Sequence, residues 1–383
     1  MGTNWDGDIS NLTKGSNVCN ESHIAFRGVE NCEEFEFEIG FDRDLVEKIV
    51  VVIVPVFFGI IGILGLVGNT LVVVVVAANP SMRSTTNILI INLAVADLLF
   101  VIFCIPFTAT DFVLPFWPFG NVWCKIVQYL IIVTAYASVY TLVLMSLDRY
   151  LAVVHPITSM SWRTENHAIM AICIAWAVIF TISTPALVIH GEVTSQKLLE
   201  SSSQTSFLRI HFVFQDLDDL SSENLTACRI LPQYDWSFFQ VSFFLTSYLL
   251  PLTLISIFYV CMLVRLWRGS RVSAESRRGR RRATRLVLVV VGVFAFCWCP
   301  IQVILVTKSL EAYPLKSATI MVQIVSHILA YTNSCVNPIL YAFLSDNFRK
   351  AFRKIIYCRP RQDPQRSGPP TKTTRAASSG DIL

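Results

Sequence analysis

The chain has 383 residues, of which 54% are hydrophobic and only 15% charged, with a net charge of +4. That balance excludes an ordinary soluble enzyme or binding module, in which about a quarter of the residues are charged, and points to a polytopic membrane protein. The eleven cysteines are scattered, many inside apolar runs, so neither a dense disulfide scaffold nor a CxxC…CxxC zinc pattern is present.

Residues 1–48 are polar and acidic, with eleven acids against four bases. They lack an apolar h-region, so no cleavable leader is expected and the first span serves as the targeting signal. Sequons at Asn11 and Asn20 suit a glycosylated, largely flexible extracellular tail. Cys19 and Cys32 either pair there or stay free.

Apolar stretches long enough to cross a bilayer recur near 49–78, 86–110, 123–154, 167–190, 236–267, 284–307 and 317–343. An odd number of crossings puts the termini on opposite sides. A third sequon, Asn224, lies in the polar segment 191–235, four crossings from the first two, so all three fall on one face. The basic segments then fall on the other: 265–285 has nine arginines against one acid, and 346–383 nine bases against three acids, as the positive-inside rule requires. The expected fold is therefore all-α, a seven-transmembrane helix bundle over 49–343 in the plasma membrane, with the N-terminus extracellular and the C-terminus cytoplasmic. The arginine-rich loop reads as a topology signal and a contact for anionic membrane lipids, and nothing argues for nucleic acid.

Residues 344–358 read as a short amphipathic eighth helix on the membrane surface. Phe348, Phe352, Ile355 and Ile356 lie on one side with Arg349, Lys350, Arg353 and Lys354 around them, and Cys358 is a palmitoylation candidate. Residues 359–383 are rich in Pro, Ser and Thr and are expected to be a disordered cytoplasmic tail. Ser367, Thr371, Thr373, Thr374, Ser378 and Ser379 are candidate phosphosites there, and Asp381-Ile382-Leu383 could add a strand to a PDZ domain.

The third span carries polar groups at both ends. From Cys124 to Tyr150 it runs about 40 Å as a helix, enough to reach both headgroup layers. Asp148 and Arg149 then belong at an interface, since the same charges mid-span would cost several kcal/mol without partners. At the other end, Cys124 is expected to pair with Cys228 in the long loop. Asp97 sits near the middle of the second span, with Asn69, Ser138, Asn333 and Asn337 at comparable depth on other spans. A carboxylate ringed by amides and a hydroxyl suits a small cation, a proton-linked switch or a neutral, hydrogen-bonded acid. Pro251, Pro300 and Pro338 fall inside the fifth, sixth and seventh spans, where each removes a backbone hydrogen bond and leaves a hinge or a static kink.

Together these residues resemble the rhodopsin-like family of G-protein-coupled receptors over 49–357. The motifs are Gly68-Asn69, Leu93-Ala94-Val95-Ala96-Asp97, Trp117-Pro118-Phe119-Gly120, Asp148-Arg149-Tyr150, Trp176, Pro251, Cys297-Trp298-Cys299-Pro300 and Asn337-Pro338-Ile339-Leu340-Tyr341, in order and each in its own segment. The resemblance implies a sodium pocket at Asp97, Ser138, Asn333 and Asn337, with no other cofactor. It implies a toggle at Trp298, a connector at Val139, Pro251 and Phe294, and a rearranging set at Arg149, Tyr259 and Tyr341. Ile157, after Pro156, matches a knob that enters a heterotrimeric G protein, and arrestin and receptor kinases are expected to meet the tail. Many members hold the arginine with an acid at the inner end of the sixth span. Arg280 occupies that position here, so Arg149 is expected to rest on Asp148 and on Thr284, with detectable basal signalling.

The aminergic aspartate position is Ile131 and the retinal lysine position is Tyr331, which argues against both ligand classes. Matching positions give Gln128, Ile131, Ile132, Phe243, Gln302, Leu305, Gln323 and His327 as ligand-binding candidates. The acidic tail and the segment 191–235, with seven acids against three bases, suit a cationic peptide or are simply a solvated exterior. The fragments PFTATDFVLPFWPFGNVWCKIVQYL and TAYASVYTLVLMSLDRYLAVVHPITSMSWRTE look like insect allatostatin-A receptors, relatives of galanin receptors. That implies an amidated neuropeptide and an inhibitory-type G protein. Galanin- or kisspeptin-like specificity is the alternative. A channel or transporter would call for paired interrupted spans, which are missing, and an enzyme for motifs such as GxSxG or HExxH, also missing.

Overall fold

The computed structural model describes residues 32–82, 84–114, 116–194, 226–268, 274–310, 312–313 and 317–356. Asn11, Asn20, Asn224, Cys19, Cys358 and the candidate phosphosites, with the side chains of Cys32 and Arg280, lie outside the described residues. Among the described residues, seven helices are long and apolar enough to cross a membrane: Val51–Ala78, Thr85–Val113, Gly120–Val154, Glu165–Ile189, Trp236–Arg265, Thr284–Ser309 and Ala318–Leu344, here the first to seventh spans. The first helix itself begins at Cys32, well before the expected start near 49. No proline interrupts residues 32–50, and a polar run made largely of helix-tolerant residues continues an apolar helix at little cost.

The third span is the axis, with 67% of its apolar window buried, against 22% for the first span and 17% for the fourth. The outer spans show Val52, Ile60, Ile63, Ile174 and Val178 to the surroundings, the skin a lipid-facing helix needs. Side-chain oxygens start the second, fourth and fifth spans: Ser84 accepts from the Asn87 N–H, Thr164 from His167 and Asp235 from Phe238, which satisfies N–H groups that a helix leaves free at its start.

Breaks occur where the backbone loses a donor. The second span breaks at Cys104 and resumes as Ile105–Val113 with Pro106 in its first turn, and the fourth breaks at Thr184 before Pro185. Pro300 and Pro338 sit inside continuous helices. The fifth span contains a π turn, Leu245–Leu249, immediately before the helix that includes Pro251.

One end of the bundle carries the only sheet among the described residues, an antiparallel hairpin of β1 (His190–Thr194) and β2 (Thr226–Ile230). The Cys124–Cys228 disulfide ties β2 to the third span. Trp117 holds the hairpin by giving its N–H to the Thr226 carbonyl at 2.8 Å, and its indole N–H goes to the Gly120 carbonyl at 3.1 Å. Gly120 has φ +80°, a left-handed conformation that favours glycine and lets the chain turn into the third span. The sequence motif Trp117-Pro118-Phe119-Gly120 is thus the hairpin's footing.

The opposite end is packed by a large apolar cluster that includes Leu93, Leu142, Met145, Val287, Tyr341 and Phe348. The short helix Asp346–Ile356 turns Phe348 and Phe352 into this cluster, with the Phe348 ring 5.6 Å from Tyr341. Its aromatic side therefore docks on the bundle, rather than facing only lipid. Gly68 lies where a Cβ would stand 3.0 Å from Pro338, so a larger residue there would have to push the first and seventh spans slightly apart.

Candidate functional site

Asp97 is wholly buried, as a carboxyl group at bilayer depth must be if it has partners within the bundle. Asn337 reaches one of its oxygens through the amide nitrogen at 2.8 Å, and the Ser138 hydroxyl stands 3.4 Å from the other. Asn69 is turned elsewhere: its amide donates to the Gly65 and Ser334 carbonyls at 2.9 and 2.8 Å, joining the first and seventh spans. Asn333 is buried, and the side-chain oxygens of Asn69, Asn333 and Asn337 have no hydrogen-bond partner. Next to this centre, Trp176 donates to Asn92 at 2.8 Å and Asn92 to Thr141 at 2.7 Å, a chain from the fourth span through the second to the third.

At the end away from the hairpin, Asp148 accepts from Arg149 at 2.5 and 3.1 Å, from Arg163 at 2.8 Å and from Thr86 at 2.8 Å. A carboxylate that is 4% exposed is tolerated at such a site because two guanidinium groups and a hydroxyl surround it. Arg163 and Thr86 were not expected from the sequence, where Arg163 is one more base after the third span. Thr284 does not share this role: among the described residues no hydrogen bond joins it to Arg149, so Asp148 alone supplies the contact expected from both. Tyr150 lies beside His155 and Phe258. Tyr259 and Tyr341 are buried, and the Tyr341 hydroxyl has no hydrogen-bond partner among the described residues. Ile157 is 85% exposed, with Met160 and Trp162 exposed beside it.

Between the two ends, Trp298 touches both major apolar clusters, and its ring lies 6.0 Å from Phe294. Val139 and Phe294 are buried in the larger cluster, and Pro251 follows the π turn. That turn is explained locally. The Leu250 N–H bonds back to the Leu245 carbonyl, and the next residue, Pro251, has no N–H to give the Thr246 carbonyl. The Tyr140 hydroxyl supplies that donor from the third span at 3.0 Å, and Tyr136 pairs with the Thr246 hydroxyl at 2.7 Å. Pro251 was legible in the sequence as a point of weakness; the two tyrosines that repair it were not.

The eight ligand-binding candidates are spread over more than one packing cluster. Ile132 and Phe243 pack with Tyr136 and Ile179 in one cluster, while Ile131 and Leu305 pack against another that contains Phe58 and Tyr331. Gln128 approaches the Cys228 sulfur at 3.8 Å, and Gln302 approaches the Ser247 hydroxyl at 3.5 Å. Gln302 and Gln323 are buried, each with its side-chain oxygen unpartnered among the described residues. The His327 ring packs edge-on to Phe112 and Tyr331, at 5.3 and 6.1 Å. Near the hairpin, Arg229 of β2 pairs with Asp111 at 2.9 Å and also donates to the Cys228 carbonyl at 2.7 Å. Lys308, just beyond the expected sixth span, stands 5.9 Å over the Tyr313 ring. Burial pushes the His190 imidazole down to about 4, partly offset by the hydrogen bond that its Nδ1 donates to the Ala186 carbonyl at 3.0 Å.

The profile of the 7 transmembrane receptor (rhodopsin family) matches residues 68–341. An allatostatin-A receptor of Bombyx mori is 59% identical over 350 residues, 90% of each chain. Human galanin receptor type 2 is 38% identical over 341 residues, 87% of this chain and 80% of that one, and a galanin-like G-protein coupled receptor of Caenorhabditis elegans is 36% identical over 338 residues, 81% and 74%. With the seven spans and their buried polar core, these matches place the chain in the rhodopsin family of seven-transmembrane receptors, as a multi-pass membrane protein.

Proposed function

We propose that this chain is a receptor for an amidated neuropeptide of the allatostatin-A type, which it binds at the hairpin end and reports to a heterotrimeric G protein of the inhibitory type at the Asp148 end. The observation that carries the reading is the 59% identity, over 90% of both chains, to a protein named for that peptide. The site chemistry supports it. Buried Gln302 and Gln323 each offer an unpartnered amide oxygen, and neutral carboxamides suit a peptide amide better than a carboxylate, which would leave a charge to be compensated. The peptide's amidated end is placed deep, toward Trp298, and basic residues upstream meet the acidic extracellular rim.

Asp97, Ser138, Asn333 and Asn337 offer a carboxylate, a hydroxyl and two amide oxygens, a hard donor set that fits a sodium ion, and Asn337 also orients Asp97 through its amide nitrogen. When bound, the ion supplies positive charge to a buried carboxylate and favours the arrangement that holds it. The extracellular N-terminus, the cytoplasmic tail with its arrestin and receptor-kinase contacts, and Ile157 as the G-protein knob complete the reading. Its physical content is a two-state bundle whose populations are shifted by a ligand at one end and a partner at the other.

The test is G-protein activation and cAMP in cells expressing the chain, titrated with an amidated allatostatin-A-type peptide, its free acid and galanin. A response to the amide far stronger than to the acid is expected. A response to galanin alone would replace the ligand with the one named by the relative at 38% identity, and equal potency of amide and acid would defeat the proposed orientation.

A further inference from the structure

We infer that Tyr248 is a positioning residue that holds the sixth span against the fifth in the closed bundle, and that its hydrogen bond to the Ala295 carbonyl is surrendered when the Asp148 end opens. The Tyr248 hydroxyl donates to that carbonyl at 2.9 Å. Its ring is stacked between Phe244 at 5.9 Å and Phe294 at 6.4 Å. Ser237 also donates to the Ser309 carbonyl, and Gln302 to Ser247. Beyond Ala295, toward the Asp148 end, no hydrogen bond joins the fifth and sixth spans among the described residues. Met262 of the fifth span and Leu286, Val287 and Val290 of the sixth are buried there in the large apolar cluster. Tyr248 is therefore the last polar tie before the free arm of the sixth span.

Its placement makes it a restraint. The π turn that carries Tyr248 is fixed to the third span, the axis of the bundle, by Tyr136 and Tyr140 through Thr246. Ala295 lies five residues from Pro300 on the Asp148 side, about 7.5 Å along the helix, and Thr284 lies about 24 Å from the same proline. A rigid swing about Pro300 thus moves Ala295 about a third as far as Thr284. A displacement of ~3 Å at Thr284 moves Ala295 by ~1 Å, which carries the Tyr248 bond beyond hydrogen-bonding range when the swing runs away from the fifth span. With Arg280 at the position of the usual acid, this bond restrains the arm from its hinge side. Gln302 and Ser247 adjoin it, so a ligand touching Gln302 acts on the π turn that positions Tyr248.

The inference rests on the proposed G-protein reading for its signalling consequence, and the experiment separates the two. Full-length chains are expressed at matched surface density as wild type, Tyr248→Phe, and Tyr129→Phe. The first substitution keeps both ring stacks and removes only the hydroxyl; the second removes an equivalent bond, from Tyr129 to the Phe180 carbonyl at 3.2 Å between the third and fourth spans. Ligand-free opening is read by energy transfer between fluorophores attached within 269–273 and near the C-terminus. Basal activation is read across a panel of G proteins. Tyr248→Phe is expected to shift the energy transfer and to raise basal activation about two- to tenfold, the range for one lost hydrogen bond, with Tyr129→Phe at the wild-type level. An unchanged or lower signal in Tyr248→Phe, or an equal rise in Tyr129→Phe, overturns the inference. A shift in energy transfer specific to Tyr248→Phe, with every G protein silent for all three chains, upholds the tie and defeats the G-protein reading.

Discussion

The two ends of this bundle are held by different kinds of force. At the hairpin end the ties are covalent and polar: the Cys124–Cys228 disulfide, the β1–β2 ladder, the Trp117–Thr226 contacts and the Asp111–Arg229 pair. At the other end one carboxylate, Asp148, gathers three donors over an apolar cluster, and Ile157, Met160 and Trp162 stay exposed. Covalent and ladder bonds break all at once or not at all, whereas apolar packing slides with modest change in buried area. One end is tied by a disulfide and a strand ladder, the other by side-chain contacts around Asp148 and by apolar packing.

Breaking the fixed end should have the largest effect. Cys228→Ser frees β2 from the third span across a sequence separation of 104 residues, and a constraint on so long a loop is worth ~4.7 kcal/mol in the chain-entropy account. Near-complete loss of surface receptor and of peptide binding is expected, measured by surface labelling and saturation binding. Wild-type surface levels would show that the hairpin's noncovalent ties suffice.

Changing the mobile end should spare binding and alter signalling. Arg163→Ala removes one of the two cations on buried Asp148 and loosens the loop that carries Ile157. Maximal G-protein activation should fall about three- to fivefold, the scale of an ion pair whose arginine is 26% exposed and which is worth about 1 kcal/mol, with peptide affinity within about twofold. An affinity loss as large as the signalling loss would mean that the two ends are not separable in this way.

Acid should act on the fixed end. Burial holds the His190 imidazole down at about 4, while the unfolded chain protonates near 6.5. As pH falls the unfolded state takes up the proton first, so stability is full above about 6.5, declines from there to about 4, and levels off below. Near pH 5.5 the loss amounts to about 1 kcal/mol, read as a melting temperature lower by a few degrees. His190→Gln should remove this part of the pH dependence.

The smallest effect belongs to Asp111→Asn. A partly exposed ion pair contributes up to about 1 kcal/mol, so peptide dissociation should quicken by about two- to fivefold as β2 loses its hold on the second span. Unchanged dissociation would remove Asp111 from the account of the fixed end.

Much of this was legible before any coordinates. Seven apolar runs at bilayer length, charge asymmetry and the partners Cys124 and Cys228 follow from composition and spacing. Polar residues at membrane depth announce themselves because hydrocarbon offers them no partner, and Asp97 with Asn337 and Ser138 was found that way. The helix breaks at Cys104 and Thr184 could have been read from Pro106 and Pro185, which were passed over beside the prolines of the later spans.

The sequence by itself determined the class of molecule, the number of spans and which groups need partners, because transfer into lipid prices each residue locally. Only the tertiary structure decided who the partners are. Arg163 on Asp148, Arg229 on Asp111 and Tyr140 on the carbonyl that Pro251 leaves free join residues 15, 118 and 106 positions apart. No local period encodes such distances; they are fixed when helices pack, by which faces meet and at what height.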